Sequence, residues 1–386
     1  MMKKVSVIIS LLILLLSNKI FAQIEFDFSG YIVDLPIYQS TNEKISTLFG
    51  IDKNQIINLT RLRLKPVLYL WENSRLNLEY EITALYYNSP GAFSFTNSGR
   101  TNRQIVDLTW NPINEQNFSV SHFIDRLYFK QNFDFGEVVI GRQRISWGTG
   151  RIWNPTDLFN PINPASYYKN EKDGADALSM KFFLGDFTDL NLVYNPKEKI
   201  AESNFGFRFR TNFNEFDLSL MGGYFDKQVV AGLDFAGNLF DAGVRGEGII
   251  TADKNDLSNY RIKFILGADY QFTSEFYALL EYQFNGEGKT DKFKYELFRL
   301  MKGEILNLSK NYFVVSGFYQ ITPLFAVSLT NNICANDKSG FTALIANYSL
   351  TQDIYVSLGG QIFYGDDFTE YWYYPNSIYL QGEYYF

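Results

Sequence analysis

The sequence predicts an all-β protein: a single antiparallel transmembrane β-barrel of about eighteen strands. Three observations lead there. Runs of alternating apolar and polar residues recur along the chain, short and long connections alternate between them, and 18% of the residues are aromatic. A strand with one face in lipid and one in water alternates with period two. A soluble protein would need a very large core to hide 36 Phe, 27 Tyr and 5 Trp. A membrane barrel displays such rings outward, in girdles at both interfaces.

The first 22 residues stand apart from this pattern. They carry Lys3 and Lys4, an apolar run from Val5 to Leu16, and Ala22 before a break. A basic, then apolar, then small-residue order is that of a secretory signal peptide, with cleavage expected before Gln23. The run is too short for a membrane helix, which needs roughly 20 residues. No cysteine lies nearby to carry a lipid anchor. Residues 23–386 then form one barrel domain, without a composition break or a second apolar stretch of helical length.

The alternating runs fall at roughly 25–34, 56–71, 75–87, 119–132, 137–147, 177–184, 188–195, 204–213, 217–225, 228–236, 239–250, 259–271, 275–284, 311–320, 324–334, 341–350, 354–364 and 377–386. "ENS", "FDFG", "GDF", "NEF", "AGN", "FTS", "ITP" and "TQD" join them on one side. The longer connections are 35–55, 88–118, 148–176, 251–258, 285–310 and 365–376. Such alternation is that of periplasmic turns and extracellular loops, and an even count puts both termini in the periplasm. The weakest runs are 177–195 and 217–250, and sixteen strands is the alternative.

Period two also assigns faces. Arg61, Arg63 and Lys65 oppose Leu62, Leu64, Leu68 and Leu70; Arg208 and Arg210 oppose Phe207 and Phe209; Arg261 and Lys263 oppose Ile262, Phe264 and Leu266. Arg142 and Arg144 share a face in the same way. An arginine facing lipid at the midplane costs about 2–4 kcal/mol, so these bases are expected to line the interior. Glu79, Glu81, Glu247 and Glu281 point inward by the same rule. Sixteen to eighteen strands enclose a water-filled channel. Gln143 and Asp125 fall on the outward face in this register.

The last ten residues, "SIYLQGEYYF", place Tyr384 and Phe386 on one face and end on an aromatic ring. This resembles the C-terminal assembly signal of bacterial outer-membrane barrels, which implies the barrel-assembly machinery as a partner. With the signal peptide, the alternating runs and "GRQRISWGTGRIWNPTDLFNPINP" (141–164), nearly the whole mature chain resembles an outer-membrane porin. The resemblance implies an outer-membrane location among its lipids and passive diffusion of small hydrophilic solutes. The oligomeric state stays open, with a homotrimer as one option: Gln143 and Asp125 mark either its outer face or a bulge that shifts the register. The resemblance also implies that the third loop, 148–176, folds back and narrows the lumen. Gly148 and Gly150 permit a sharp re-entry, and the prolines of three Asn-Pro pairs stiffen the segment. Trp153, Leu158 and Phe159 would anchor it, with polar contacts from Asp157, Lys169, Glu171, Lys172, Asp173 and Asp176. Arg151 belongs to the same constriction. Arg61, Arg63, Arg142 and Arg144 would oppose Asp157 and Glu171 there, and the basic clusters point to anion preference.

Other classes are disfavoured. A mature formal charge near −10, after loss of Lys3, Lys4 and Lys19 from the full −7, argues against nucleic acid. Cys334 is alone, so there is no disulfide framework. His122 is the only histidine; Ser121 beside it points to the opposite face of an extended strand, so no catalytic constellation forms and no enzyme is expected. "GTGR" (148–151) lacks the rest of a phosphate loop. No cofactor or metal motif is present. Active, energy-coupled uptake would need a plug domain ahead of the first run. The alternative is a barrel for polysaccharide export or surface attachment, with 88–118 and 285–310 as its platform.

Overall fold

A computed structural model describes residues 24–89, 103–159, 171–301 and 305–386. The expected signal peptide lies outside the described residues, as do Lys169 and the Asn160-Pro161 and Asn163-Pro164 pairs. Eighteen antiparallel strands follow one another around a closed wall. They are β1 Gly30–Ser40, β2 Asn54–Leu64, β3 Ser74–Tyr87, β4 Phe118–Phe133, β5 Gly136–Gln143, β6 Ala175–Gly185, β7 Thr188–Asn195, β8 Asn204–Phe213 and β9 Phe216–Phe225. The second half is β10 Gln228–Leu239, β11 Ala242–Asp253, β12 Asp256–Gln271, β13 Phe276–Asn285, β14 Asn311–Thr322, β15 Phe325–Cys334, β16 Gly340–Ser349, β17 Ile354–Tyr364 and β18 Asn376–Tyr385. Each pairs with its sequence neighbours, and the runs least marked in the sequence all form.

The barrel closes where β1 meets β18, with Tyr31 opposite Tyr385 and Ser40 opposite Asn376. The Gly30 and Phe386 amides complete the seam by exchanging hydrogen bonds of 2.8 and 3.0 Å. Only glycine fits at that point: a Cβ on Gly30 would lie 2.4 Å from the Arg63 carbonyl oxygen and 2.7 Å from the Phe386 ring.

The outer face is apolar. Leu220, Leu233, Leu266, Leu280, Leu329, Leu344, Leu358 and Leu380, on eight different strands, are each about half exposed. A belt of this kind is tolerable only where hydrocarbon is the solvent, and a closed sheet leaves no edge unpaired inside it. No helix among the described residues is long and apolar enough to cross a membrane. Short turns close one end of the wall. Asn214-Glu215 and Phe240-Asp241 have positive φ at both positions, the turn geometry that matches strand twist.

Several boundaries differ from the sequence expectation. The first strand is Gly30–Ser40, not 25–34; Glu25–Asp27 instead pairs with Val67–Trp71. Pro66, which has no N–H to donate, interrupts the run 56–71. The turn expected at "AGN" lies at Phe240-Asp241, and the connection expected over 251–258 shrinks to 254–255 because Asp253 and Asp256 still pair. β5 stops at Gln143 rather than 147. The segment Thr109–Asn114 then pairs with the part of β4 that β5 no longer covers, with Trp110 opposite His122. Unpaired ladder groups on β4 find their partners there.

Candidate functional site

Where β5 ends, the chain turns into the barrel. Trp147 meets Phe159 edge-on at 5.2 Å and packs with inward residues Val193, Met221 and Ile249 of β7, β9 and β11. Farther along, Trp153 lies 5.9 Å from Tyr312 and packs with Ile265, Val314 and Phe341. Those residues belong to β12, β14 and β16. In a ring of eighteen strands β14 stands half-way round from β5, so residues 147–153 reach the opposite wall.

Two wall carboxylates hold this segment. Glu247 on β11 accepts the N–H groups of Thr149 and Gly150, and also the Thr156 hydroxyl at 2.7 Å. Glu281 on β13 accepts from Arg151 N–H at 2.9 Å and from Trp153 N–H at 2.8 Å, with Ile152 at 3.3 Å. A buried segment outside any ladder must find acceptors for its amides, and these two side chains supply them. Gly148 makes the bend with φ +95, and a Cβ there would lie 2.6 Å from Glu247 Oε1.

The predicted wall bases divide into fully buried and partly exposed groups. Arg63 is 3% exposed and bonds Glu79 at 2.6 Å, Glu81 at 2.9 Å, Glu171 at 3.1 Å and also Asp125. Arg142 is 2% exposed and bonds Asp176 at 2.7 Å and the carbonyls of Ile124 and Val106. Both point inward, but neither meets water as the sequence suggested. Arg61 pairs with Glu81 at 3.0 Å, Lys65 with Glu171 at 2.8 Å, and Arg210 with Asp189 at 2.8 Å. Arg208 meets Asp234 at 3.3 Å, while Arg261 and Lys263 share Glu287 at 3.5 and 2.5 Å.

In the inward segment, Asp157 is buried against Lys172 and Phe159 is 2% exposed. Burial opposes ionisation of Glu171, yet Arg63 and Lys65 outweigh it and hold its pKa below the usual carboxylate value. Glu79, Asp125 and Glu171 place ligand atoms within 4.8 Å of one another. The Arg63 guanidinium sits among them and bonds all three, and Lys65 and Arg126 add a cation each at Glu171 and Asp125.

Asp125 and Gln143 correct the outward assignment. Asp125 is 1% exposed and accepts from Gly174 N–H at 2.8 Å. A bulge puts Glu79 opposite Arg126 but Tyr80 opposite Ile124, so Asp125 is the extra residue and the alternation slips there. Gln143, at the end of β5, folds back onto the carbonyls of Val139 and Ala177. Neither marks an outer face.

The start of the inward segment, Arg144 to Trp147, borders a cavity of about 390 Å³. Arg75, Arg126, Lys130, Arg144, Lys181, Arg208 and Arg210 border it, against Glu79, Glu137, Glu171 and Asp189. Arg144 and Arg151 are exposed, and among the described residues neither side chain has an acidic partner. Arg75 and Lys181 were legible but not singled out: Arg75 shares the inward face of Glu79 and Glu81, and Lys181 follows Ser179 by two. At the seam, Tyr384 and Phe386 face outward, their rings 6.0 Å apart.

Burial, charge and closure together define an eighteen-stranded, charge-lined membrane barrel with a segment pinned across its interior. No protein-family model matches the chain, and no characterised protein matches it in sequence. Solved structures share the fold, OccAB4 and OccD3 among them. OccAB4 of Acinetobacter baumannii superposes with a TM-score of 0.54 at 11% identity, covering 94% of this chain and 98% of that one. OccD3 (OpdP) of Pseudomonas aeruginosa gives 0.53 at 10% identity, covering 93% and 91%. At such identity the likeness is one of fold, the outer-membrane porin-like barrel that the sequence resembles.

Proposed function

We propose that this protein is an outer-membrane porin that passes small hydrophilic solutes by diffusion and favours anions. The segment 144–159 narrows its lumen. One asymmetry carries the reading: Glu247 and Glu281, the acids facing that segment, are occupied by its amides, whereas Arg144 and Arg151 on it are exposed and have no acidic partner among the described residues. Fixed charges of one sign in a low-dielectric passage raise the local concentration of the opposite ion. The proposed signal peptide would carry the chain across the inner membrane, and the Tyr384/Phe386 end would present it to the assembly machinery. Proteoliposome swelling tests permeation. Vesicles holding the protein should swell in arabinose and faster in gluconate than in a cation of equal size; vesicles that stay inert to all three contradict a pore.

A further inference from the structure

We propose that the cleft between the 41–53 and 365–376 connections binds a neutral saccharide at the long-loop rim, a reading that rests on this rim facing the outside. The cleft measures about 400 Å³, within the range of small-molecule sites. Flat rings and short polar groups share its lining. Phe363 and Tyr374 stack at 5.2 Å with an interplanar angle of 14°, Trp372 stands beside them, and Asn42, Glu43 and Asn376 reach the same space. A pyranose has matching chemistry: its C–H face seeks an aromatic face, and its hydroxyls seek amides and carboxylates.

The hydrogen-bonding inventory favours a ligand rich in hydroxyls. Trp372 is only 7% exposed, and its indole N–H has no acceptor among the described residues. Native structures rarely leave a buried donor so. Asn376 Oδ1 accepts from Phe363 N–H at 2.7 Å and Asn42 Oδ1 from Lys44 N–H at 2.9 Å, and among the described residues neither amide NH₂ group has an acceptor. Glu43 is the acceptor, and Lys53 at 3.7 Å balances its charge. The lumen cavity selects by charge; this cleft, nearly neutral, does not.

The frame of the cleft is fixed. Lys44 and Asp367 form an ion pair that ties its two connections together. Phe368, whose ring lies 5.0 Å from that of Trp372 at a tilt of 51°, has φ +66. A bulky residue in the left-handed region stores strain, and such strain concentrates at ligand clamps.

The hydroxyls could come from free sugars or from the sugars of the surrounding lipopolysaccharide, and the test separates them. Purified full-length protein is titrated by calorimetry with glucose, galactose, maltose and cellobiose, and separately with lipopolysaccharide micelles. Saturable binding with Kd near ~1 mM, the weak end of specific recognition, is expected for at least one probe. Trp372→Phe, which keeps the ring but removes the donor, and Asn376→Asp, which keeps the acceptor for Phe363, should each weaken it about tenfold. Binding by micelles alone assigns the site to membrane sugars; binding by a free sugar assigns it to a solute. Protein that melts cooperatively yet binds none of these, or binds equally well in both variants, overturns the proposal. Conductance of the same samples is read separately, so a barrel that binds sugar but does not conduct refutes the pore alone.

Discussion

Trp153 donates its backbone N–H to Glu281 Oε1 at 2.8 Å, across 128 residues of chain. With Arg151 and Ile152 bonding the same carboxylate, Glu281 does for the inward segment what a neighbouring strand does in a sheet. Glu281→Ala leaves those amides buried without acceptors, at roughly 1–3 kcal/mol for each group. The segment should come off the β13 wall. Single-channel recordings of the variant are expected to show larger, noisier steps, and limited proteolysis to cut within 144–159. Glu281→Gln keeps one carbonyl acceptor and should fall between. Unchanged conductance in the alanine variant would mean that the segment does not set the passage.

Arg142 and Arg144, two residues apart, should behave as different kinds of arginine. Arg142 is sealed against Asp176; removing one partner of a buried pair typically costs about 3–5 kcal/mol. Arg142→Ala is therefore expected to lower the melting temperature and leave ion selectivity alone. Arg144→Glu, at a water-facing position, should leave the melt unchanged and move the reversal potential toward cations. Arg151→Glu should act in the same direction. A selectivity change from Arg142→Ala with no loss of stability would reverse this division.

Glu370, in the Glu370–Tyr373 turn of the long-loop end, is 2% exposed. It accepts from Leu308 and Ser309 N–H at 3.2 and 3.1 Å and from the Tyr312 hydroxyl. Burial lifts its carboxyl from 4.5 to about 7, against those hydrogen bonds. The folded value lies above the unfolded one, so the folded state holds the proton more tightly. Its contribution to stability is complete below about 4.5 and is lost as pH rises through about 7. Amide protection at Leu308, Ser309 and 369–374, taken relative to the intrinsic exchange rate at each pH, should therefore fall between about pH 5 and pH 8. Glu370→Gln should flatten that dependence; a profile identical to wild type would assign it to another group.

Gly30→Ala tests the seam. The added methyl would collide with the Arg63 carbonyl and the Phe386 ring. Overpacking of this kind costs typically 1–3 kcal/mol. The expected outcome is a lower unfolding temperature on semi-native gels, with Gly382→Ala as the control, since nothing lies within 4 Å of a Cβ there. Equal behaviour of the two would place the weak point of closure elsewhere.

Period-two alternation made most of the wall legible, because a lipid-facing charge is costly enough to enforce it. Leu266 and Ile265 have opposite exposures for that reason, 52% and 0%. Where alternation breaks, the reading fails. The bulge at Asp125 turned an inward acid into an apparent outward one, and Thr109–Asn114, with Pro112 inside it, carries no period to recognise. Glu247 and Glu281 were legible as inward acids. Their grip on residues 149–156 was not, because it joins positions about a hundred residues apart that only closure of the ring brings together. Arg142 shares the inward face of Arg144, and nothing in their spacing distinguishes a sealed guanidinium from a wet one.

An open, anion-favouring pore is tested most directly by the single-channel current of the purified protein in a planar bilayer under a KCl gradient. Steady ohmic steps with a reversal potential on the chloride side are expected. Steps that reverse on the potassium side would contradict the role given to Arg144 and Arg151, and a folded protein that never conducts would contradict the pore itself.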